Sequence, residues 1–115
     1  MALNVMGRNC DDHSKNFSFL LRKGGSWALS PAYDITFAHN PQGEWTNQHL
    51  MSVNGKFKDF QGGDFLEMAD RFAVGSGKIV MAQVRDAIKQ WPRFGEIAGL
   101  SQTQISAIGA QQILL

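Results

Sequence analysis

The stretch NCDDHSKNFSFLLRKGGSWALSPAYDI, Asn9 to Ile35, decides how this chain is read. It opens on a polar loop, Asn9-Cys10-Asp11-Asp12-His13-Ser14-Lys15-Asn16. Phe17-Ser18-Phe19-Leu20-Leu21 is β-prone, Arg22-Lys23-Gly24-Gly25 is a turn signal, and Ser26-Trp27-Ala28-Leu29 reads as the returning strand. Ser30-Pro31 stops that strand and delivers Tyr33-Asp34-Ile35. The pattern predicts a loop carrying Asp11 and Asn16, a β-hairpin, and Asp34 just beyond it.

Outward from this stretch the periodicity changes twice. Residues 1–9 read as the end of a truncated helix, with Leu3, Val5 and Met6 apolar and Gly7 as the helix-ending glycine. Residues 36–48 are irregular. Leu50-Met51-Ser52-Val53, Asn54-Gly55 and Lys56-Phe57-Lys58-Asp59-Phe60 predict a second hairpin, because Asn-Gly supplies the two positive φ values of a type I′ turn. Asp64-Phe65-Leu66-Glu67 then reads as a capping box ahead of Met68, Ala69 and Phe72. Ser76 is expected to cap a second helix whose Val80, Val84, Ala87, Ile88 and Trp91 share one face, ended or kinked by Pro92. Ser101-Gln102-Thr103-Gln104 caps a third, with Leu100 and Ile105 placed as a hydrophobic staple. The expected fold class is α+β, mostly α: two short hairpins followed by a helical bundle over residues 1–115, with no internal domain boundary.

At 115 residues the chain has the size of one domain or of one lobe of a larger enzyme. Charged residues make up 18% against the roughly 25% usual for soluble domains. With three Trp and eight Phe, this predicts apolar surface that something else covers, and hence self-association when it is uncovered. A net charge of +1 argues against direct binding of nucleic acid or an anionic membrane. The single Cys10 fits a reducing compartment, no apolar run is long enough to span a bilayer, and Met1-Ala2-Leu3 opens no signal peptide. The expected location is the cytoplasm.

Asp11, Asn16 and Asp34 suit phosphoryl transfer. One carboxylate takes the proton of an attacking hydroxyl. An amide oxygen and a second carboxylate hold Mg²⁺ against nucleotide phosphates, since that hard cation prefers one or two carboxylates plus phosphate oxygens. Taken alone, Asp-x₄-Asn more often marks an ordinary loop using Asx-turns. The hairpin and the Pro-preceded Asp34 behind it reverse that judgement.

Asn9-Cys10-Asp11-Asp12-His13-Ser14-Lys15-Asn16-Phe17-Ser18-Phe19 and Leu29-Ser30-Pro31-Ala32-Tyr33-Asp34-Ile35 together resemble the signature of the HipA-like kinases, toxins of bacterial toxin–antitoxin pairs. The likeness continues through Leu50 to Lys56 and the helical tail. It implies the C-terminal lobe of a protein-kinase-like fold that transfers the ATP γ-phosphate to a Ser or Thr hydroxyl of a protein. On this likeness Asp11 is the catalytic base, and Asn16 and Asp34 bind Mg²⁺ and through it ATP. Lys15 would reach a phosphate, and His13 would either orient the loop or make a structural hydrogen bond. Tyr33 would pack beneath the metal loop, and Asp12 would face solvent. The implied partners are a small DNA-binding antitoxin, a protein substrate of the aminoacyl-tRNA synthetase class, and an N-terminal kinase lobe.

The chain departs from that family in one respect. No G-x-G-x-x-G or V-A-I-K pattern occurs in it, so the nucleotide clamp is missing and the chain alone is expected to be inactive. Two other readings remain at this stage. One is a non-catalytic module that binds an antitoxin or a separate N-terminal half. The other is a metal-dependent phosphate-ester hydrolase with Asp11, Asp12 and Asp34 as ligands. His39 and His49 lack acidic or Cys partners at zinc-ligand spacing, and Cys10 lacks a basic neighbour that would make it reactive.

Overall fold

The computed structural model describes residues 1–115. Helix α1 (Ala2–Met6) comes first, then strands β1 (Phe19–Leu21) and β2 (Trp27–Leu29). Four helices follow: α2 (Gly62–Arg71), α3 (Gly77–Lys89), α4 (Trp91–Ile97) and α5 (Gln102–Gly109). The fold is α+β and mostly α, and residues 36–48 form no helix or strand, as the sequence predicts.

The predicted first hairpin is present, antiparallel, with Phe19 opposite Leu29 and Leu21 opposite Trp27. The second is reduced to its turn. Asn54 (φ 50°) and Gly55 (φ 78°) take the left-handed conformations expected of Asn-Gly, but across it only Val53 and Lys56 form a β-bridge, with one further bond from the His49 N–H to the Phe57 carbonyl. The strands fail because the Leu50 and Met51 N–H groups donate to the Asp12 carboxylate, and because Asp59 turns left-handed (φ 54°).

Helix ends correct the sequence reading in detail. Gly7 is right-handed (φ −82°) and Arg8 is the left-handed residue (φ 59°). Gly7 caps the helix end in a tight spot, where a Cβ would lie 3.0 Å from the Leu3 carbonyl oxygen and 3.4 Å from Ile88 Cδ1. Helix α2 starts at Gly62, so Asp64 caps rather than precedes it: its carboxylate accepts the Gln61 N–H at 2.7 Å and pairs with Lys56. That carboxyl titrates below its usual range because Lys56 bonds it, helped by the Gln61 amide. On α3 the buried residue is Met81, with Val84 and Ile88 half-buried beside it, whereas Val80 and Ala87 face solvent. Pro92 does end α3, and it opens α4, a helix the sequence pattern did not reveal. The Ser101–Gln104 capping box forms as predicted.

The core is small: Val5, Met6, Val53, Phe60, Phe65 and Met81 join α1, the Asn-Gly turn segment, α2 and α3. Only 14 of 115 residues are buried, and the radius of gyration of 15.5 Å exceeds the roughly 13 Å of a closed 100-residue domain. The β-hairpin is apolar yet exposed on both faces, from Leu20 (49%) to Trp27 (68%). No helix is long and apolar enough to cross a membrane.

Gly77 opens α3 where it crosses α2, and a Cβ there would lie 2.6 Å from the Ala69 Cβ. Neither atom has a rotamer to escape by. The clash outweighs the gain in helix propensity of at most about 1 kcal/mol. Gly77→Ala is expected to destabilise the protein by about 1–3 kcal/mol in urea unfolding. An unchanged or higher midpoint would show that the two helices slide apart freely.

Candidate active site

The loop after α1 is built on alternation. Cys10 and Asp12 are fully buried, while Asp11 and His13 between and after them are 48% and 40% exposed at their side chains. Left-handed Arg8 turns the chain out of α1 into this loop. Asn9, 2% exposed, reaches across with its Nδ2 to the Asp34 carbonyl at 2.9 Å. The Ala38 N–H bonds the Arg8 carbonyl at 3.0 Å, so the segment after the hairpin is docked on the start of the loop.

Ser14–Asn16 closes the loop as a single 3₁₀ turn. The Asn16 Nδ2 donates to the Asp11 carbonyl at 2.9 Å. That bond uses the nitrogen end of the amide and leaves Oδ1 as the available ligand. Tyr33 donates its hydroxyl to the Lys15 carbonyl at 2.7 Å, which ties the far end of the hairpin beneath the loop as the sequence reading expects. Asp34 is exposed and left-handed (φ 54°), a conformation that Asp tolerates better than most residues at a cost of about 1–2 kcal/mol. Such strain is held where the surroundings over-determine it, here by the Asn9 bond.

His13 Nε2 lies 3.8 Å from Asp11 Oδ1, and His13 Nδ1 is buried without a partner. The Lys15 side chain is exposed. A cavity of about 240 Å³ opens beside the loop, lined by Asn4, Asn16, Leu29, Pro31, Tyr33 and Ile35 among others.

Asp12 overturns its expected placement. It does not face solvent: one oxygen accepts His49 Nδ1–H at 2.8 Å, and the other accepts the Leu50 and Met51 N–H groups at 2.8 and 3.2 Å. Burial pushes this carboxyl up, but the His49 and backbone bonds more than offset it, so it titrates below its usual range. With three donors on its two oxygens and no exposure to solvent, Asp12 is not placed to join Asp11 and Asp34 around a metal ion. The hydrolase built on Asp11, Asp12 and Asp34 is therefore not supported.

Cys10 Sγ lies 3.7 Å from His49 Nε2, giving a Cys–His–Asp chain with the connectivity of a thiol hydrolase. All three groups are sealed from solvent, and burial, with Asp12 adding to it, pushes the thiol up against a weaker pull from Arg8. A buried thiol held protonated is not a nucleophile. His39 is occupied elsewhere: Arg8 bonds its Nε2, so Nδ1 carries the proton donated to Gln111 Oε1 at 2.6 Å.

The oxygens of Asn16 and Asp34 suit Mg²⁺, a cation satisfied by few protein ligands when substrate phosphates complete its shell. The sequence reading missed Asn9 as a tether and His49 as a partner of Asp12. The only signal for Asn9 was its place at the head of the motif.

A family model of the HipA-like C-terminal domain matches residues 1–93, which include the loop, the hairpin, α1 to α3 and the start of α4. No curated protein and no solved structure matches the chain.

Proposed function

The chain belongs to the family of HipA-like C-terminal domains, and on that premise we propose that it carries the base and metal-binding half of a serine/threonine kinase in a toxin–antitoxin pair. The observation that carries this reading is the 2.9 Å bond from Asn9 to the Asp34 carbonyl, which docks Asp34 on the loop of Asp11 and Asn16. Asp11, half-exposed and free of a strong ion pair, accepts the proton of the substrate hydroxyl. Asn16 and Asp34 are the residues that would hold Mg²⁺, which would supply positive charge to the ATP phosphates. Lys15 offers a mobile positive charge to a phosphate oxygen. His13 steadies the Asp11 carboxylate from 3.8 Å.

The nucleotide clamp belongs to an N-terminal lobe, and the exposed apolar hairpin fits a surface that such a lobe covers. The proposed partners are that lobe, a small DNA-binding antitoxin, and a protein substrate of the aminoacyl-tRNA synthetase class. These 115 residues alone transfer no phosphate, because positioning and charge stabilisation supply nearly all of this catalysis.

The test uses the complete kinase, this domain joined to its nucleotide-clamping lobe, with Mg²⁺ and [γ-³²P]ATP. Phosphate transfer to protein is expected. Asp34→Ala is expected to weaken Mg·ATP binding by roughly 10- to 100-fold, as is typical when support for a metal is removed. An intact protein that binds its partners but transfers no phosphate would leave a non-catalytic binding module. Unchanged Mg·ATP affinity in Asp34→Ala would remove Asp34 from the metal site.

A further inference from the structure

Cys10 and Asp12 flank Asp11 in the chain, and one buried ring touches both. His49 Nε2 lies 3.7 Å from Cys10 Sγ and Nδ1 lies 2.8 Å from Asp12 Oδ2. The ring is 1% exposed and is itself fixed, by its backbone N–H to the Phe57 carbonyl at 3.2 Å and by edge-on contact with Phe60 at 5.3 Å between centroids. The next two residues add their N–H groups to the other Asp12 oxygen.

Each nitrogen of a buried histidine needs a partner, and the surrounding core is apolar. Here both partners are the immediate neighbours of the exposed carboxylate. We infer that His49 is a positioning residue for Asp11: by gripping both neighbours from a segment 37 residues further on, it sets where the Asp11 carboxylate stands against the substrate hydroxyl. The inference rests on Asp11 being the base. Its effect is geometric, and a misplacement of about 1 Å at a reacting group can cost about 10²-fold in rate.

His49→Leu removes both bonds. His49→Asn keeps a side-chain N–H for Asp12 and loses the Cys10 contact. In the complete kinase, assayed where circular dichroism shows each variant folded, His49→Leu is expected to lower kcat at least about tenfold with KM for ATP within about twofold. His49→Asn should recover most of that loss and remain about threefold below wild type. A purely structural histidine would lower the melting temperature and leave kcat of the folded protein alone.

The second arm is amide exchange in the 115-residue chain. The Asn16 and Phe17 N–H groups bond the His13 and Ser14 carbonyls at 3.0 and 3.3 Å, and their exchange is expected to accelerate in His49→Leu while that of α3 does not. If the wild type transfers phosphate and folded His49→Leu keeps its kcat, the positioning role is wrong and the kinase reading stands. If the wild type transfers none, the kinase reading falls, and with it the role assigned to His49. Unchanged exchange at Asn16 and Phe17 overturns the clasp in either case. Should His49→Leu not fold, a wild-type kcat in His49→Asn overturns it as well.

Discussion

Asp11→Ala is expected to lower phosphate transfer by the complete kinase about 10²- to 10⁴-fold, the usual loss for a positioned general base. The same change should leave stability within about 0.5 kcal/mol, because the side chain is 48% exposed and the only basic side chain within 4 Å of its carboxylate, His13, stands 3.8 Å away. Nucleotide binding should persist, since Asn16 and Asp34 are untouched. Asn16 stays in place too, because its Nδ2 bonds the backbone carbonyl of residue 11 and not the carboxylate. Single-turnover transfer, denaturant unfolding and nucleotide titration on one preparation separate these quantities. Activity near wild type would exclude Asp11 as the base, and a large stability loss would mean that the carboxylate has a structural partner.

One residue further on, Asp12→Ala is expected to do the reverse. It leaves three donors without their acceptor, the buried His49 Nδ1–H and the part-buried Leu50 and Met51 N–H groups. Leaving a buried donor without its acceptor costs about 1–3 kcal/mol, and here three donors lose theirs at once. Domains of this size are stable by only about 5–15 kcal/mol, and this one has a small core, so much of the population should unfold at 37 °C. Because the folded-state pKa of Asp12 is depressed, its contribution is fully present above the unfolded carboxyl value of about 3.9. It is lost as pH falls from there through the lower folded value. Urea unfolding of wild type should therefore be flat with respect to Asp12 above about pH 5 and should steepen below about pH 4. In Asp12→Asn that acid limb should flatten. A cost under about 1 kcal/mol for Asp12→Ala would mean that water replaces the lost acceptor.

The opposite fates of Asp11 and Asp12 show how far the site was legible in the chain. Spacing together with the hairpin marked Asp11, Asn16 and Asp34 as candidates, because a polar loop, a hairpin of β-prone residues and a Ser-Pro stop are local signals. The same local signals could not tell which of two adjacent aspartates is buried. That depends on His49, which lies 37 residues away. The second hairpin illustrates the same limit. Asn54-Gly55 was correctly a left-handed turn, but its strands lost their N–H groups to Asp12, a competitor that no local pattern contains.

By itself, then, the sequence determined the short-range features: the Asn9–Asn16 loop, the first hairpin, the Ser101–Gln104 cap and the helical second half. Each is decided by backbone preference or hydrophobic period within a few residues. Only the tertiary structure decided the rest. It chose Met81 rather than Val80 as the buried residue of α3, because α1 and α2 approach α3 from that side. It placed Asp34 on the loop through Asn9 and turned Asp12 inward onto His49. A buried polar group must find its hydrogen-bond partners wherever the fold brings them, and those partners lie far off in the chain.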